Sequence, residues 1–317
     1  MQSAFLDFAT VSRGDLDTNR LERALPGLKL HESTAEGEIA HRIAECEIVL
    51  VNKLRLTRER LAAAPQLRLI AVAATGTNNV DLDAARERGI AVANARDYCT
   101  TSVTQHVLAS ILLLTHRLCE YGRLAVDGTW GRRPQFTMLD HPIRELAGRV
   151  LGIVGHGTLG RSVGHAAEAG LGMRVIVANR PGGERVAGRL DLEEMLPRVD
   201  VLSLHCPLTP ATHQLIGARE LGLMKRDALL VNTARGGLID ASALAEALEA
   251  RRIGGAAIDV LAEEPPVAGG PLVADLPNFL LTPHIAWSAR EARQRCLDEV
   301  AANVEAFLRG EPRNRVA

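Results

Sequence analysis

The sequence predicts an α/β protein made of two doubly wound parallel-sheet domains. Three observations carry that expectation. Short runs rich in Val, Ile and Leu alternate with helical patterns along the whole chain, as parallel strands buried on both faces require. One run, residues 150–154, ends in Gly155-His156-Gly157-Thr158-Leu159-Gly160, a G-x-G-x-x-G turn followed at once by a helical pattern (Val163, Ala166, Ala167). A length of 317 residues accommodates two domains of ordinary size.

Taken in order, residues 4–8 read as a strand and 17–25 as a helix. Residues 47–52 read as a buried strand, 57–64 as a helix and 67–74 as another strand. The turn Thr75-Gly76-Thr77-Asn78-Asn79 follows, then a helix over 82–88 and a short strand over 90–93. Residues 100–122 read as one long helix, capped by Thr100, Thr101 or Ser102. Its apolar positions run nearly all round, so it is expected to be buried on most faces. Residues 127–141 read as an irregular connection.

The second strand set is 150–154, 175–178, 199–205, 228–232, 255–260 and 279–282, with helices over 191–196, 218–224 and 241–252. A long amphipathic helix over 289–308 is expected to return to the first domain. The expected division is therefore 1–99 with 289–317 as one domain, and 100–288 as a dinucleotide-binding domain inserted in it.

In the glycine turn each residue type has a use. Gly155 permits the tight turn, Gly157 leaves room for a pyrophosphate, and Gly160 lets helix and strand pack closely. The first amides of the helix and its dipole favour the phosphate charge. Glycine-rich turns often only turn the chain. Here the next strand follows at the expected distance and ends in Asn179-Arg180, where a ribose-reading residue belongs.

Composition excludes several classes. The net charge of −1 points to neither nucleic acid nor an anionic membrane surface. No apolar run reaches membrane-spanning length. The N-terminal residues lack a basic flank and apolar core, so no secretory signal is expected. Five scattered cysteines argue for reduced thiols and a cytoplasmic location rather than a disulfide framework. Ten histidines occur without H-E-x-x-H or C-x-x-C, so no metal site is expected.

Four strand ends carry candidate chemistry, because the carboxyl ends of strands line the crevice of an open α/β sheet. Arg235, in Asn232-Thr233-Ala234-Arg235-Gly236-Gly237, has a fork that can hold a carboxylate, against the alternative of a surface salt bridge. Asp259 and Glu264 lie in Asp259-Val260-Leu261-Ala262-Glu263-Glu264-Pro265-Pro266. Asp259 can hold a nicotinamide carboxamide and Glu264 can orient a histidine, whereas Glu263 reads as a solvated turn residue. His284, in Thr282-Pro283-His284-Ile285-Ala286-Trp287, is placed to act as acid or base. Pairing with Glu264 is expected to raise its pKa and keep its proton available. The amides of the 74–79 turn can bind a carboxylate, and a plain β-α turn is as good a reading. Cys206, beside His205, reads as structural or cofactor-lining rather than nucleophilic.

Taken together, G-H-G-T-L-G, H-C-P-L-T-P-A-T-H, N-T-A-R-G-G-L-I-D, D-V-L-A-E-E-P and T-P-H-I-A-W resemble the D-isomer-specific 2-hydroxyacid dehydrogenases over essentially the whole chain. Residues 135–148 and Trp287 resemble the glycerate dehydrogenase (hydroxypyruvate reductase) branch. The resemblance implies a Rossmann domain inserted in a flavodoxin-like substrate domain, and hydride transfer between NAD(P)H and a small 2-oxo acid, with hydroxypyruvate or glyoxylate the expected substrate. It assigns Arg235, Glu264 and His284 to catalysis. It assigns Thr75, Gly76, Arg235, His284 and Trp287 to substrate. Cofactor contacts are expected from Gly155, His156, Gly157, Thr158, Leu159, Gly160, Asn179, Arg180, His205, Cys206, Pro207, Thr233, Ala234 and Asp259. A homodimer is also implied.

One departure matters. NAD-preferring members usually end the second strand with Asp, and here Asn179-Arg180 replaces it, which favours NADPH or dual use. The rival readings are a phosphite or phosphoglycerate dehydrogenase on the same fold, and a nucleotide-sensing, corepressor-like binding protein.

Overall fold

The structure, a computed structural model, describes residues 1–266 and 269–317. The chain divides into two compact units, Met1–Cys99 with Trp287–Ala317, and Thr100–Ala286.

The first unit holds five parallel strands: β1 (Ser3–Phe5), β2 (Lys29–Leu30), β3 (Ile48–Val51), β4 (Leu69–Val72) and β5 (Ala91–Asn94). Their order is β2-β1-β3-β4-β5, the flavodoxin-like order. All but β2 are buried at every position, because helices cover both faces. Ile39, Ile43, Leu61 and Ala84 fill one side of the sheet. Leu21, Leu297, Val300 and Val304 fill the other. The last three belong to the Arg290–Leu308 helix, which returns to this sheet as its amphipathic pattern predicts. Two residues of β2, and the short Ile39–Ile43 helix, lie outside the sequence reading because neither makes a periodic apolar run.

Asp7 organises the carboxyl edge of this sheet. It is buried, and its carboxylate accepts from the amides of Asn52 (2.8 Å), Lys53 (2.6 Å) and Leu54 (3.0 Å). The loop after β3 is thereby fixed from the end of its neighbour β1.

The second unit holds six parallel strands: β6 (Val150–Val154), β7 (Arg174–Val177), β8 (Val201–Leu204), β9 (Leu229–Asn232), β10 (Gly255–Ile258) and β11 (Phe279–Leu281). Their order is β11-β10-β9-β8-β6-β7. A core of Leu196, Val199, Leu221, Leu244 and Leu248 covers one face. The Thr100–Thr115 helix packs on β9, β10 and β11 and on the Thr158–Leu171 helix.

The single helix expected over 100–122 is two helices, Thr100–Thr115 and Leu118–Val126. The break is Arg117, in the left-handed region at φ +55°. Neither glycine nor proline marks it, and the apolar period runs on through Leu118, so the pattern reads as unbroken. The second helix buries none of its residues. Among the described residues, no helix is long and apolar enough to cross a membrane, and no group of three or more His, Cys, Asp or Glu side chains forms a metal cluster.

Candidate active site

The chain of the second unit runs from β6 out to β7 and then back across to β8. The loops after β6 and β8 therefore leave the sheet side by side at the switch point. Gly155 adopts φ +97°, and a Cβ there would stand 2.5 Å from the Cys206 amide nitrogen. A Cβ on Gly160 would stand 2.1 Å from the Gly155 carbonyl oxygen. A Cβ on Gly157, by contrast, meets nothing within 4 Å. Two glycines are thus demanded by the protein itself, and the middle one borders open space.

The Thr158–Leu171 helix begins there, with Gly157 as its N-cap and no side chain closing its end. Its first amides have no intrahelical acceptor. That cradle fits an anionic pyrophosphate. Two further atoms fit a bound group: His205 Nδ1 and Thr233 Oγ1 are buried and have no hydrogen-bond partner among the described residues. They follow β8 and β9 at the carboxyl edge. Buried polar atoms without partners are rare enough to suggest a ligand.

At the end of β7 the Asn179 side chain is occupied within the protein. It donates to Asp191 at 3.0 Å and accepts from the Val186 amide at 3.0 Å, so it holds the 180–191 loop. Arg180 is exposed and has no ion pair among the described residues. Partial burial, with the charges of Arg189 and Arg161 added, pulls the His156 pKa down, which puts all three groups in one electropositive region. Thr158 and Leu159 open the helix beside it.

After β8, His205 Nε2 lies 2.9 Å from Ser203 Oγ. The residue is not fully covered, but its Nδ1 is shut from solvent, and burial pulls its pKa down to about 4. Burial pushes the Cys206 thiol up to about 11, which suits a packing role rather than a nucleophile. Pro207 follows at the surface.

The loops after β9, β10 and β11 carry Arg235, Glu264 and His284. Buried Asn232 accepts from the Ala234 amide (3.0 Å) and donates to the Arg235 carbonyl (2.9 Å), folding the turn that holds Thr233 and Ala234. Half-buried Arg235 donates to the Ala234 carbonyl at 2.6 Å and has no carboxylate partner among the described residues. A Cβ on Gly236 would stand 2.0 Å from the Leu261 carbonyl carbon, so this glycine lets the Arg235 turn lie directly on the segment that leads to Glu264. Glu264 accepts from the Leu261 amide (2.8 Å) and from His284 Nδ1 (2.6 Å). The carboxylate therefore fixes the Nδ1–H tautomer and leaves Nε2 for other work. His284 itself sits at φ +55°.

Asp259 does more than the sequence suggests. Its buried carboxylate accepts from Thr282 Oγ1 (2.6 Å) and from the amides of Ile285 (2.9 Å) and Ala286 (2.9 Å). It therefore shapes the histidine loop, whatever it also offers a cofactor.

In the first unit Thr75 and Gly76 follow β4. Asn94 donates to the Thr75 carbonyl at 2.7 Å, and the amides of Thr75 and Gly76 make no hydrogen bond among the described residues. Trp287 is partly buried and meets Tyr98 edge-on, with centroids 6.2 Å apart. Residues that sequence reasoning missed are Asp7, Ser102, His106 and Thr282. Asp7 looks like any strand-end acid, and His106 sits in an apolar helix with no companion in sequence. Thr282 was visible only as the first letter of T-P-H.

Residues 108–286 match the family described as D-isomer specific 2-hydroxyacid dehydrogenase, NAD binding domain. The chain belongs to that family. It is 44% identical over 309 residues to a glycerate dehydrogenase of Methylorubrum extorquens, covering 96% of this chain and 97% of that one. It is 36% identical over 323 residues to a hydroxypyruvate reductase of Blautia hydrogenotrophica, covering 100% and 99%. The solved structure of an acyclic imino acid reductase in complex with NADPH and D-Arg matches with a TM-score of 0.88 at 26% identity, covering 100% of each chain. Within the family this dehydrogenase lies close to the glycerate dehydrogenase and hydroxypyruvate reductase branch. It is an oxidoreductase acting on CH–OH donors.

Two predictions follow from the geometry of the dehydrogenase. Gly160→Ala is expected to cost about 1–3 kcal/mol of stability by overpacking, and Gly157→Ala less than about 0.5 kcal/mol. Equal losses in denaturant unfolding would contradict the packing described. His205 gives the second. The unfolded chain binds a proton there near 6.5, the folded chain only near 4. Protons below 6.5 therefore favour the unfolded state, and stability should decline as pH falls from 6.5 to about 4, by about 3 kcal/mol for this ring. His205→Asn should flatten that part of the stability–pH curve, and an unchanged curve would refute the assignment.

Proposed function

We propose that this dehydrogenase reduces a small 2-oxo acid, hydroxypyruvate or glyoxylate, to its D-2-hydroxy acid with a reduced nicotinamide dinucleotide. The observation that carries the reading is the Glu264–His284 pair at 2.6 Å, in the same unit as an Arg235 guanidinium that has no carboxylate partner among the described residues. The dinucleotide is assigned to the glycine cradle, with its pyrophosphate on the amides of Gly157, Thr158 and Leu159. Bound there, it supplies hydride to C2 of the 2-oxo acid.

The chain's own residues do the rest. His284 Nε2–H gives its proton to the carbonyl oxygen as charge develops there. Glu264 holds the ring by Nδ1. Arg235 presents a fork of donors to the carboxylate and carbonyl oxygens, which orients the substrate and spreads the developing charge. Thr75 and Gly76 are assigned to the substrate carboxylate because their amides make no hydrogen bond among the described residues, and Trp287 to the substrate side of the first unit. Asp259, Thr233, Ala234 and the 205–207 segment are assigned to the nicotinamide half.

For the cofactor we favour NADPH or dual use. Asn179 spends its side chain on Asp191 and Val186, and Arg180 beside it has no ion pair among the described residues, which suits a 2′-phosphate. A homodimer is the proposed assembly. Leu118, Val126, Trp130, Phe136, Leu139 and Ile143 are all exposed within 118–143, an apolar concentration that a second copy of the chain would cover. A soluble, cytoplasmic enzyme completes the proposal.

The test is the absorbance of the reduced nicotinamide, crossing NADH and NADPH with glyoxylate, hydroxypyruvate and pyruvate. Turnover of the first two is expected, and His284→Ala should lower kcat by about 10²–10⁴-fold, the usual worth of general acid catalysis. Arg180→Ala should lower kcat/KM for NADPH about tenfold or more while sparing NADH. Cofactor binding without turnover of any 2-oxo acid would overturn the reading, and a strong NADH preference in the parent would overturn the cofactor assignment.

A further inference from the structure

His284 occupies the left-handed region at φ +55°, where a residue with a Cβ is strained. Such a backbone persists only if its surroundings over-determine it. What over-determines it here is a chain of hydrogen bonds that begins on the Thr100–Thr115 helix. The His284 amide donates to the carbonyls of Asp259 (2.8 Å) and Thr282 (3.0 Å). The next two amides, of Ile285 and Ala286, donate to the Asp259 carboxylate. Asp259 Oδ1 also takes the Thr282 hydroxyl at 2.6 Å.

That last bond uses the only hydroxyl proton of Thr282. Its oxygen can then only accept, and His106 Nε2 lies 3.3 Å from it. His106 Nε2 is also 3.8 Å from Asp259 Oδ1. One turn earlier on the same helix face, Ser102 Oγ donates to the Ala286 carbonyl at 2.7 Å. The helix therefore holds both ends of the histidine loop, at Thr282 and at Ala286.

We propose that Thr282 and His106 are positioning residues for His284: the relay from His106 Nε2–H through Thr282 to Asp259 fixes the loop that aims the imidazole. This rests on the reduction chemistry assigned to His284 above. Neither side chain touches the reacting atoms, and both act through the Asp259 carboxylate. Because Glu264 fixes the ring only by Nδ1, the direction of Nε2 depends on where the loop backbone stands.

The experiment compares Thr282→Val with Thr282→Ser, and His106→Leu with His106→Gln, in the full chain with hydroxypyruvate and saturating reduced cofactor. Thr282→Val keeps the shape and loses the hydroxyl. It should lower kcat about tenfold to a hundredfold, the scale of a small misplacement, with KM for the 2-oxo acid changed less than about threefold. Thr282→Ser and His106→Gln, which keep the hydroxyl and a side-chain N–H donor, should restore most of kcat. Thr282→Val with His106→Leu should be little worse than Thr282→Val alone, because one relay is broken in both.

A second readout needs no turnover. In histidine-labelled protein the His284 ring resonance should shift or broaden in Thr282→Val and return in Thr282→Ser. Parent-like kcat in Thr282→Val, failure of Ser to rescue a folded protein, or an unmoved His284 resonance would each overturn the proposal. A parent chain that reduces no 2-oxo acid defeats the function assigned to His284 instead, and leaves the resonance to decide the positioning.

Discussion

A buried carboxylate at the end of β10 is the constraint on which the site depends. Asp259 is 2% exposed, and a charge so placed must be saturated with donors or it destabilises the fold. The donors it takes are the Thr282 hydroxyl and two successive amides of the loop after β11, the neighbouring strand. The bonds that satisfy this carboxylate are therefore the bonds that place the His284 loop. The first unit uses the same device: Asp7, 3% exposed at the end of β1, takes three successive amides of the loop after β3. In each sheet one acid at a carboxyl edge fixes the loop of the adjacent strand, and that edge carries the residues assigned to ligand.

The glycines divide into those the protein needs and those a ligand needs. Gly155, Gly160 and Gly236 have no room for a Cβ, since backbone of this chain already stands there. Gly157 has room and leaves it empty. Packing thus accounts for three of these glycines, and the fourth marks where the backbone is left bare. His205 Nδ1 and the Thr233 hydroxyl, which have no partner among the described residues, stand at the same edge of the sheet. Rigid strands beneath and unspent donors above are what a preorganised site requires.

Much of this was legible in the sequence, for physical reasons. Short apolar runs between turns and helical patterns mark ten of the described strands, whereas two-residue β2 leaves no run. The Glu264–His284 pair was readable because both residues follow strands that end at one edge, and the structure brings them to 2.6 Å. The helix break at Arg117 was hidden because the apolar period continues across it. The roles of Asp259, Thr282 and His106 toward the loop were hidden for another reason. They are hydrogen bonds between residues far apart in sequence, and no local pattern records them. Asn179 was read by its position at the end of β7, but its use is set by Asp191 and Val186 in the loop it closes.

The most direct measurement is the single-turnover rate of hydride transfer in Asp259→Asn, with reduced cofactor saturating so that weaker cofactor binding does not enter the rate. An asparagine amide nitrogen cannot accept from a loop amide, so one of the two backbone bonds must fail while the side-chain volume stays the same. The result expected is a folded protein whose transfer rate has dropped about a hundredfold. Transfer at the parental rate would contradict the dependence of His284 on the buried carboxylate, and with it the central claim.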